Sequence, residues 1–473
     1  MADGAAAPRS GHSALAWAPW LIVLAVVATY ANAFAGDFQF DDAAVIVGDP
    51  RVQSLRAWWT SMPGIRPLLK LTYAANHSSG LGIAGFHAVN VALHAGNAVL
   101  VWSLLRRLGP RVPGAALLGA LLFALHPVQT EAVTYVSGRS SSLSASFALA
   151  SILAWVVGRE RSRPWLAGAA SPIFLVASLL VKETAVVVPL ALVLVDAAFG
   201  PRPFLWRAAL RSTAVHWAVV AVALAALLAS PTYRSMAARS LALRPGGSNL
   251  LVHVEGLGWL AGQVARIDRL DADPDLPATG ARTPAVAAEA GLLVLALAAG
   301  LVLLHRGREA GFALLWFLVW LPASGWILPR PEPANDRQLY LALVGPAWIA
   351  GRWLSAPFRS GGWRRAGVLG LLALLCGVTV ARNRVYADAV RFWEDVVRKS
   401  PGNARARNNL GCAFAARCRL PEAEAAFVRA LELDRGYVRA AVNLRLLRDG
   451  APLTADPGHP DCPPPPWTPL PAR

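Results

Sequence analysis

A chain of 473 residues with 55% hydrophobic and only 15% charged side chains lacks the polar surface that water demands; soluble domains carry about 25% charged residues. A formal charge of +17 invites comparison with nucleic-acid binders, but the arginines sit in short clusters between apolar runs, which is how membrane-protein loops are charged. Composition therefore excludes a water-soluble globular protein and a nucleic-acid partner, and makes the lipid bilayer the first partner of the chain.

In chain order, residues 1–13 form a short N-terminal segment, and 14–34 is an uncharged run of the length a bilayer needs. The Ala31-Asn32-Ala33 sequence resembles a signal cleavage site, but the run is longer than a signal core and is preceded by a single arginine, so it is read as the first span. Apolar stretches follow at 86–105, 114–126, 143–158, 166–181, 184–199, 211–230, 284–305, 311–329, 338–353 and 366–382. The expectation is an all-α, polytopic bundle of about eleven helices over 14–384, with outer loops at 35–85 and 231–283.

Charge orients the spans. Arg106, Arg107 and Arg111; Arg159, Arg161 and Arg163; Arg202, Arg207 and Arg211; Arg306 and Arg308; and Arg352, Arg359, Arg364 and Arg365 all fall in alternate gaps. All can face the cytoplasm at once, which puts the N-terminus inside and everything after 382 outside. The opposite gaps gather a different chemistry: Asp41 and Asp42, His126 and Glu131, Lys182 and Glu183, Asp271, Asp273 and Asp275, Asp336 and Arg337. Ionisable groups at membrane boundaries are functional candidates.

Beyond Arg384 the pattern becomes amphipathic. Ala389, Trp393, Asn409 and Leu410 recur as Ala423, Phe427, Asn443 and Leu444, a step of 34 residues, which is the tetratricopeptide period. Residues 385–449 hold a half repeat, a full repeat and another half. Such arrays need about three units to stand alone, so this one is expected to lean on the membrane part or on a partner. Residues 450–473 form a Pro-rich tail expected to be disordered.

Several residues have the chemistry of a transfer site. A carboxylate of Asp41-Asp42 can accept a proton from a hydroxyl, although the pair also fits a helix cap and a solvated loop. His126 and Glu131 fit a polar head group and Arg139 a phosphate; equally, His126 can satisfy backbone freed by Pro127, and Arg139 can snorkel. Lys182-Glu183 at a tight turn between spans reads as either functional or structural. The DADPD run at 271–275 resembles a metal-binding cluster but lacks the glycine and terminal glutamate of a calcium loop. A divalent metal is therefore not favoured. No cysteine pair has CxxC spacing, so no structural zinc site is expected.

The ordered set FDDAAVIVGDPRV, RPLLKLTY, FHAVNVALH, LFALHPVQTEAVTYVSGR, VKETAVVVPL and DRQLY, followed by the NNLG repeat, resembles the transmembrane-and-tetratricopeptide protein O-mannosyltransferases and their bacterial relatives. The resemblance runs over roughly residues 15–447 and implies a membrane-embedded glycosyltransferase of the C type. Such an enzyme moves a sugar, typically mannose, from a dolichyl- or polyprenyl-phosphate carrier to Ser or Thr of a protein acceptor on the outer face. It needs no nucleotide-sugar fold, in keeping with the missing Rossmann-type glycine signature. The family's acidic pair in the first outer loop matches Asp41-Asp42. On this reading Arg139 or Arg337, with Arg66 and Lys182 as lesser candidates, meets the leaving phosphate. His87, His94 and His126 line the sugar or phosphate site, and Glu131, Glu183, Asp336 and Tyr340 complete the substrate-binding set. The chain departs from the family in having Asp336 where relatives often have Glu, and in its minimal repeat array. A bacterial inner-membrane protein with periplasmic repeats is expected. The rivals are a repeat scaffold anchored in the membrane, which leaves the clustered outer charges unexplained; a lipid-sugar transporter, which should carry polar groups deep in its spans; and the same fold moving a different sugar or using a lipid or glycan acceptor.

Overall fold

The computed structural model describes residues 15–450, apart from 62–63, 110–111, 201–202, 244–245, 277–282, 324–328, 331 and 361. The expected N-terminal segment 1–13 and, but for Gly450, the Pro-rich tail lie outside the described residues. Helices dominate, and there is no β-strand among the described residues. Proline stands in the first turn of several helices, at Pro19, Pro113, Pro172, Pro189 and Pro284, where its missing N–H and fixed φ do no harm.

Among the described residues the apolar stretches are mainly helical. Among the described residues, five helices are long and apolar enough to cross a bilayer alone: Ala18–Ala35, Gly82–Leu108, Val136–Glu160, Pro284–His305 and Gly362–Val385. Two bent pairs bring the count to seven, one broken before Pro127 by 51° and one at Thr213 by 61°. Leu166–Val181 and Glu309–Trp320 are shorter. The chain is a multi-pass membrane protein whose central helices are shorter than the count of about eleven full spans implies. Helix Val344–Ser360 lies against Pro113–Leu125: a Cβ on Gly351 would come within 2.5 Å of the Ala115 carbonyl oxygen. Close approach of this kind is how helices adhere where lipid removes the hydrophobic drive.

The arginine clusters share one end of the bundle. Arg106 lies over Trp102 (4.6 Å), Arg159 over Trp155 (4.6 Å), Arg207 over Trp206 (5.2 Å) and Arg364 over Trp363 (5.3 Å), the pairing of cation and indole that suits a head-group layer. Arg107–Glu160 (2.5 Å), Arg159–Asp196 (3.1 Å) and Arg352–Glu309 (3.0 Å) tie the helices together there.

The other end carries the acidic gaps and the repeats. The first outer segment includes helices Leu55–Ser61 and Pro67–Ser79, and the second includes Pro231–Leu243 and Gly246–Gln263. The repeats are four helices: Ala389–Lys399, Ala404–Ala415, Leu420–Leu433 and Val438–Arg448. Asp388 and Asn403 cap the first two by accepting from the backbone of Arg391 (3.0 Å) and Ala406 (2.9 Å). A Cβ on Gly411 would lie 2.6 Å from the Phe427 ring, so glycine at this repeat position lets the ring reach bare backbone.

As expected, the short array leans on the membrane part. The Arg382 guanidinium at the end of the last span meets buried Asp395 at 2.5 Å, and Lys399 joins that carboxylate at 2.6 Å. The 271–275 run turns towards the repeats: Ser400 donates to Asp271 (2.7 Å), Asn403 donates to the Asp273 carbonyl (2.9 Å), and Arg405 pairs with both Asp273 and Glu332. These carboxylates dock a domain, and no metal-holding cluster occurs among the described residues. Removing Arg405 with Arg405→Met strands buried Asp273, a loss of about 3–5 kcal/mol. The expected result is faster proteolytic release of the repeats from intact membranes; unchanged protease resistance would show that the ion pairs do not hold the domain.

Candidate active site

The segment after the first span is pinned residue by residue. The Phe38 ring meets Phe86 edge-on at 5.4 Å. Gln39 donates from Nε2 to the Tyr386 carbonyl at 3.4 Å. Phe40 packs edge-on against Trp393 of the repeats at 5.5 Å. The Asp41 N–H donates to the Tyr135 hydroxyl at 2.9 Å. Asp42 is fully buried; its carboxylate accepts from the Gln39 N–H (2.9 Å), the Ser137 N–H (2.7 Å) and the Ser137 hydroxyl. Phe40 has φ 48°, a left-handed conformation that costs a bulky residue about 1–3 kcal/mol and persists only where its surroundings over-determine it.

This arrangement separates the two acids. Asp42 is an internal anchor: burial lifts its carboxyl to about 7 against the opposing pull of the Gln39 and Ser137 hydrogen bonds. Asp41 is exposed and lies within the field of Arg337. Crowding by the protein raises its carboxyl, while Arg337, the Tyr135 hydroxyl and Arg405 draw it down and Glu332 raises it further.

Four cations gather near Asp41. Arg66, itself left-handed at φ 54°, pairs with Glu183 at 2.7 Å, and Arg330 reaches the same carboxylate at 3.3 Å. Burial pushes the Glu183 carboxyl up, but the two guanidinium groups outweigh it and hold it at about 2. Arg337 lies over the Tyr135 ring (5.5 Å), places its Nε 3.6 Å from Glu131 and donates its backbone N–H to the same carboxylate at 2.9 Å. Lys182 is 6% exposed, and its amine donates to the Ser141 hydroxyl at 2.8 Å. Among the described residues no carboxylate forms an ion pair with it. Burial lowers its pKa well below the ordinary value, and Arg337, Arg66 and Arg330 lower it further. Lys182, Arg337, Ser141, Gln338 and Tyr340 line a pocket of about 40 Å³. Lys182 and Arg337 share this pocket with Trp320 and Leu341, and Arg66 and Arg330 lie close by; the carboxylates that act on these guanidinium groups are Glu131, Glu183, Asp41 and Glu332.

Not every candidate joins this group. Arg139 is buried in the bundle, donating to Asn90 Oδ1 (2.7 Å), the Phe86 carbonyl (2.9 Å) and Thr72 (3.3 Å), and lying over the Tyr73 ring at 5.0 Å. His94 donates from Nε2 to the Ala124 carbonyl (3.0 Å) and accepts from the Tyr340 hydroxyl (2.8 Å), to which Asn97 also donates (3.0 Å). Tyr340 thus lines the pocket with its hydroxyl turned to internal partners. His126 accepts from the Val128 N–H (3.2 Å) and donates to the Val264 carbonyl (3.0 Å), satisfying backbone where Pro127 breaks the helix. His87 bonds the Gly36 carbonyl at 3.2 Å. Asp336 is 2% exposed and does not line the pocket that holds Lys182 and Arg337. The structure therefore gathers Asp41, Arg66, Glu131, Lys182, Glu183 and Arg337, and assigns Arg139, His94 and His126 to holding the bundle. Arg139→Met, which orphans Asn90 and the Phe86 carbonyl at about 1–3 kcal/mol each, should lower the unfolding temperature in detergent clearly; an unchanged midpoint would return Arg139 to the site.

Sequence reading overlooked Arg330, Tyr135, Ser137 and Ser141. Arg330 carried a usable signal as a single basic residue in an outer gap that already held Asp336-Arg337. The hydroxyls carried none.

The fold defines a multi-pass helical membrane protein with a short repeat domain packed against its first outer segment through Phe40 and Trp393. No protein-family model matches the chain. The human protein O-mannosyl-transferase TMTC4 is 38% identical over 169 residues, covering 29% of this chain and 23% of that protein. The mouse TMTC4 is 36% identical over 168 residues, with the same two shares, 29% and 23%. Protein O-mannosyl-transferase Tmtc2 of Drosophila melanogaster is 33% identical over 193 residues, 36% of this chain and 20% of the relative. The chain is similar to these proteins over about a third of its own length and spans less than a quarter of theirs in the match.

Proposed function

We propose that the chain is a membrane glycosyltransferase that moves a sugar, mannose by analogy with its relatives' names, from a polyprenyl-phosphate carrier to a hydroxyl on the outer face of the membrane, Ser or Thr of a protein being the favoured acceptor. The observation that carries this reading is one exposed carboxylate, Asp41, within the field of Arg337, which shares a pocket with Lys182, a lysine that forms no carboxylate ion pair among the described residues.

The acceptor hydroxyl approaches Asp41, which takes its proton. The hydroxyl oxygen attacks the anomeric carbon, and the bond from that carbon to the phosphate oxygen breaks with its electron pair left on the phosphate. Lys182 and Arg337 hold the charge that develops there. Attack opposite the leaving group inverts the anomeric centre. Arg337 acts on both Asp41 and Lys182, and so spans the donor and acceptor halves. Glu183 and Glu131 orient Arg66, Arg330 and Arg337 without occupying Lys182. The arginine clusters at the opposite end support a cytoplasmic assignment for that face, which leaves the site and repeats on the periplasmic side of an inner membrane.

The test is purified protein in detergent with radiolabelled polyprenyl-phosphate mannose and a mixture of envelope proteins. Label in protein supports the reading. Label appearing only with glucose, galactose or arabinose donors would change the sugar and keep the reaction class. No transfer from any donor overturns the assignment.

A further inference from the structure

We propose that the repeat domain positions the base: Trp393, through the Phe40 ring, holds Asp41 in place, so that the repeats are part of the catalytic loop's support as well as a surface for partners. The inference rests on the reading of Asp41 as the proton acceptor.

Phe40 immediately precedes Asp41, and its φ of 48° is one that side chains rarely adopt. A relaxed φ at this residue would swing the chain that follows and re-aim the Asp41 carboxylate. The ring that opposes such relaxation belongs to another domain: Trp393, 4% exposed, lies in the first repeat helix and meets Phe40 edge-on at 5.5 Å. Trp393 is braced in turn by Phe392 at 5.0 Å, which stacks on Tyr386 at 5.1 Å, and the Tyr386 carbonyl accepts from Gln39. The segment 39–40 is therefore gripped twice from the linker and the first repeat helix, immediately before the acid.

The bland account is that Trp393 only fills the repeat core. Phe427 stands one period later at the equivalent place, so a phenylalanine satisfies that core. The larger indole at 393 has an additional neighbour, and that neighbour is Phe40.

The experiment compares full-length wild type, Phe40→Ala, Trp393→Phe and the double variant in detergent. It measures hydrogen–deuterium exchange over residues 38–47, and kcat and KM for mannose transfer. Phe40→Ala leaves the backbone strain and removes the grip. It is expected to speed exchange over 38–47 alone and to lower kcat about 10²-fold with little change in KM for the donor, the scale on which small misplacement acts. Trp393→Phe should give a smaller change of the same kind, and the double variant should be no worse than Phe40→Ala. Unchanged exchange in both single variants overturns the proposal, as does faster exchange with unchanged kcat. Asp41→Asn run in parallel separates the two ideas: if that variant stays active, the role of Asp41 falls, while the exchange data still decide whether the repeats hold the loop.

Discussion

Asp41→Asn should fold, insert and bind donor normally, yet transfer sugar about 10²- to 10⁴-fold more slowly, the usual worth of a positioned base. Asparagine keeps the shape of the side chain and removes its ability to take a proton. Stability should not suffer. Crowding raises the Asp41 carboxyl above its ordinary range, so the ionised form is less favoured in the folded protein than in the unfolded chain. A carboxyl raised in this way binds more protons when folded, and its ionisation reduces stability as pH climbs out of the ordinary aspartate range of about 3.9. The neutral amide escapes that penalty, so the unfolding temperature at neutral pH should hold or rise. The wild-type rate should climb with pH along a limb displaced above that range. Asp42→Asn should behave differently: an amide nitrogen cannot accept from Gln39 or Ser137, so the loop loosens, and lost activity comes with faster exchange over the loop. If Asp42→Asn is inert with an undisturbed loop while Asp41→Asn works, the roles are reversed.

The second large effect is expected at Lys182. Lys182→Met keeps the length and apolar stem and deletes the amine. Burial and three neighbouring arginines already work against the ammonium, so its loss should leave the protein as stable as wild type or more so. An arriving phosphate is the group that would restore the ammonium. Without the amine, transfer should fall about 10²- to 10³-fold, as when one donor to a developing oxyanion is removed. Affinity for the lipid phosphate should weaken along with it, measured by competition with unglycosylated polyprenyl phosphate. A variant that loses stability but binds the carrier normally would make Lys182 a structural residue and move the anion site to Arg337.

The sequence carries some of this and hides the rest for physical reasons. The arginine-rich end of the bundle was legible because the charge of a loop is a local property: each arginine cluster could be read in its own gap, and the Trp partners of several lie within four residues. The repeat was legible because packing positions recur at a fixed step. The division of labour between Asp41 and Asp42 was not, since the two are adjacent and of one type. What separates them is Ser137, 95 residues further on. The internal roles of His94 and His126 were hidden for a related reason, although backbone satisfaction at Pro127 was one of the two readings open for His126. A histidine that binds a substrate and one that satisfies a carbonyl have the same letter, and only the Ala124 and Val264 carbonyls, 30 and 138 residues away, distinguish them.

The seating of the repeats has a consequence for how such a protein can diversify. The hydrogen bonds and ion pairs that join the two parts involve Tyr386, Asp395, Lys399, Ser400, Asn403 and Arg405, all before the middle of the second repeat helix. The last helix, by contrast, presents Val438 and Val442 outward. Further units stacked on that edge would lengthen the superhelix away from the membrane and leave the site as it is. Reach and partner choice can thus vary in one direction while the chemistry stays fixed in the other.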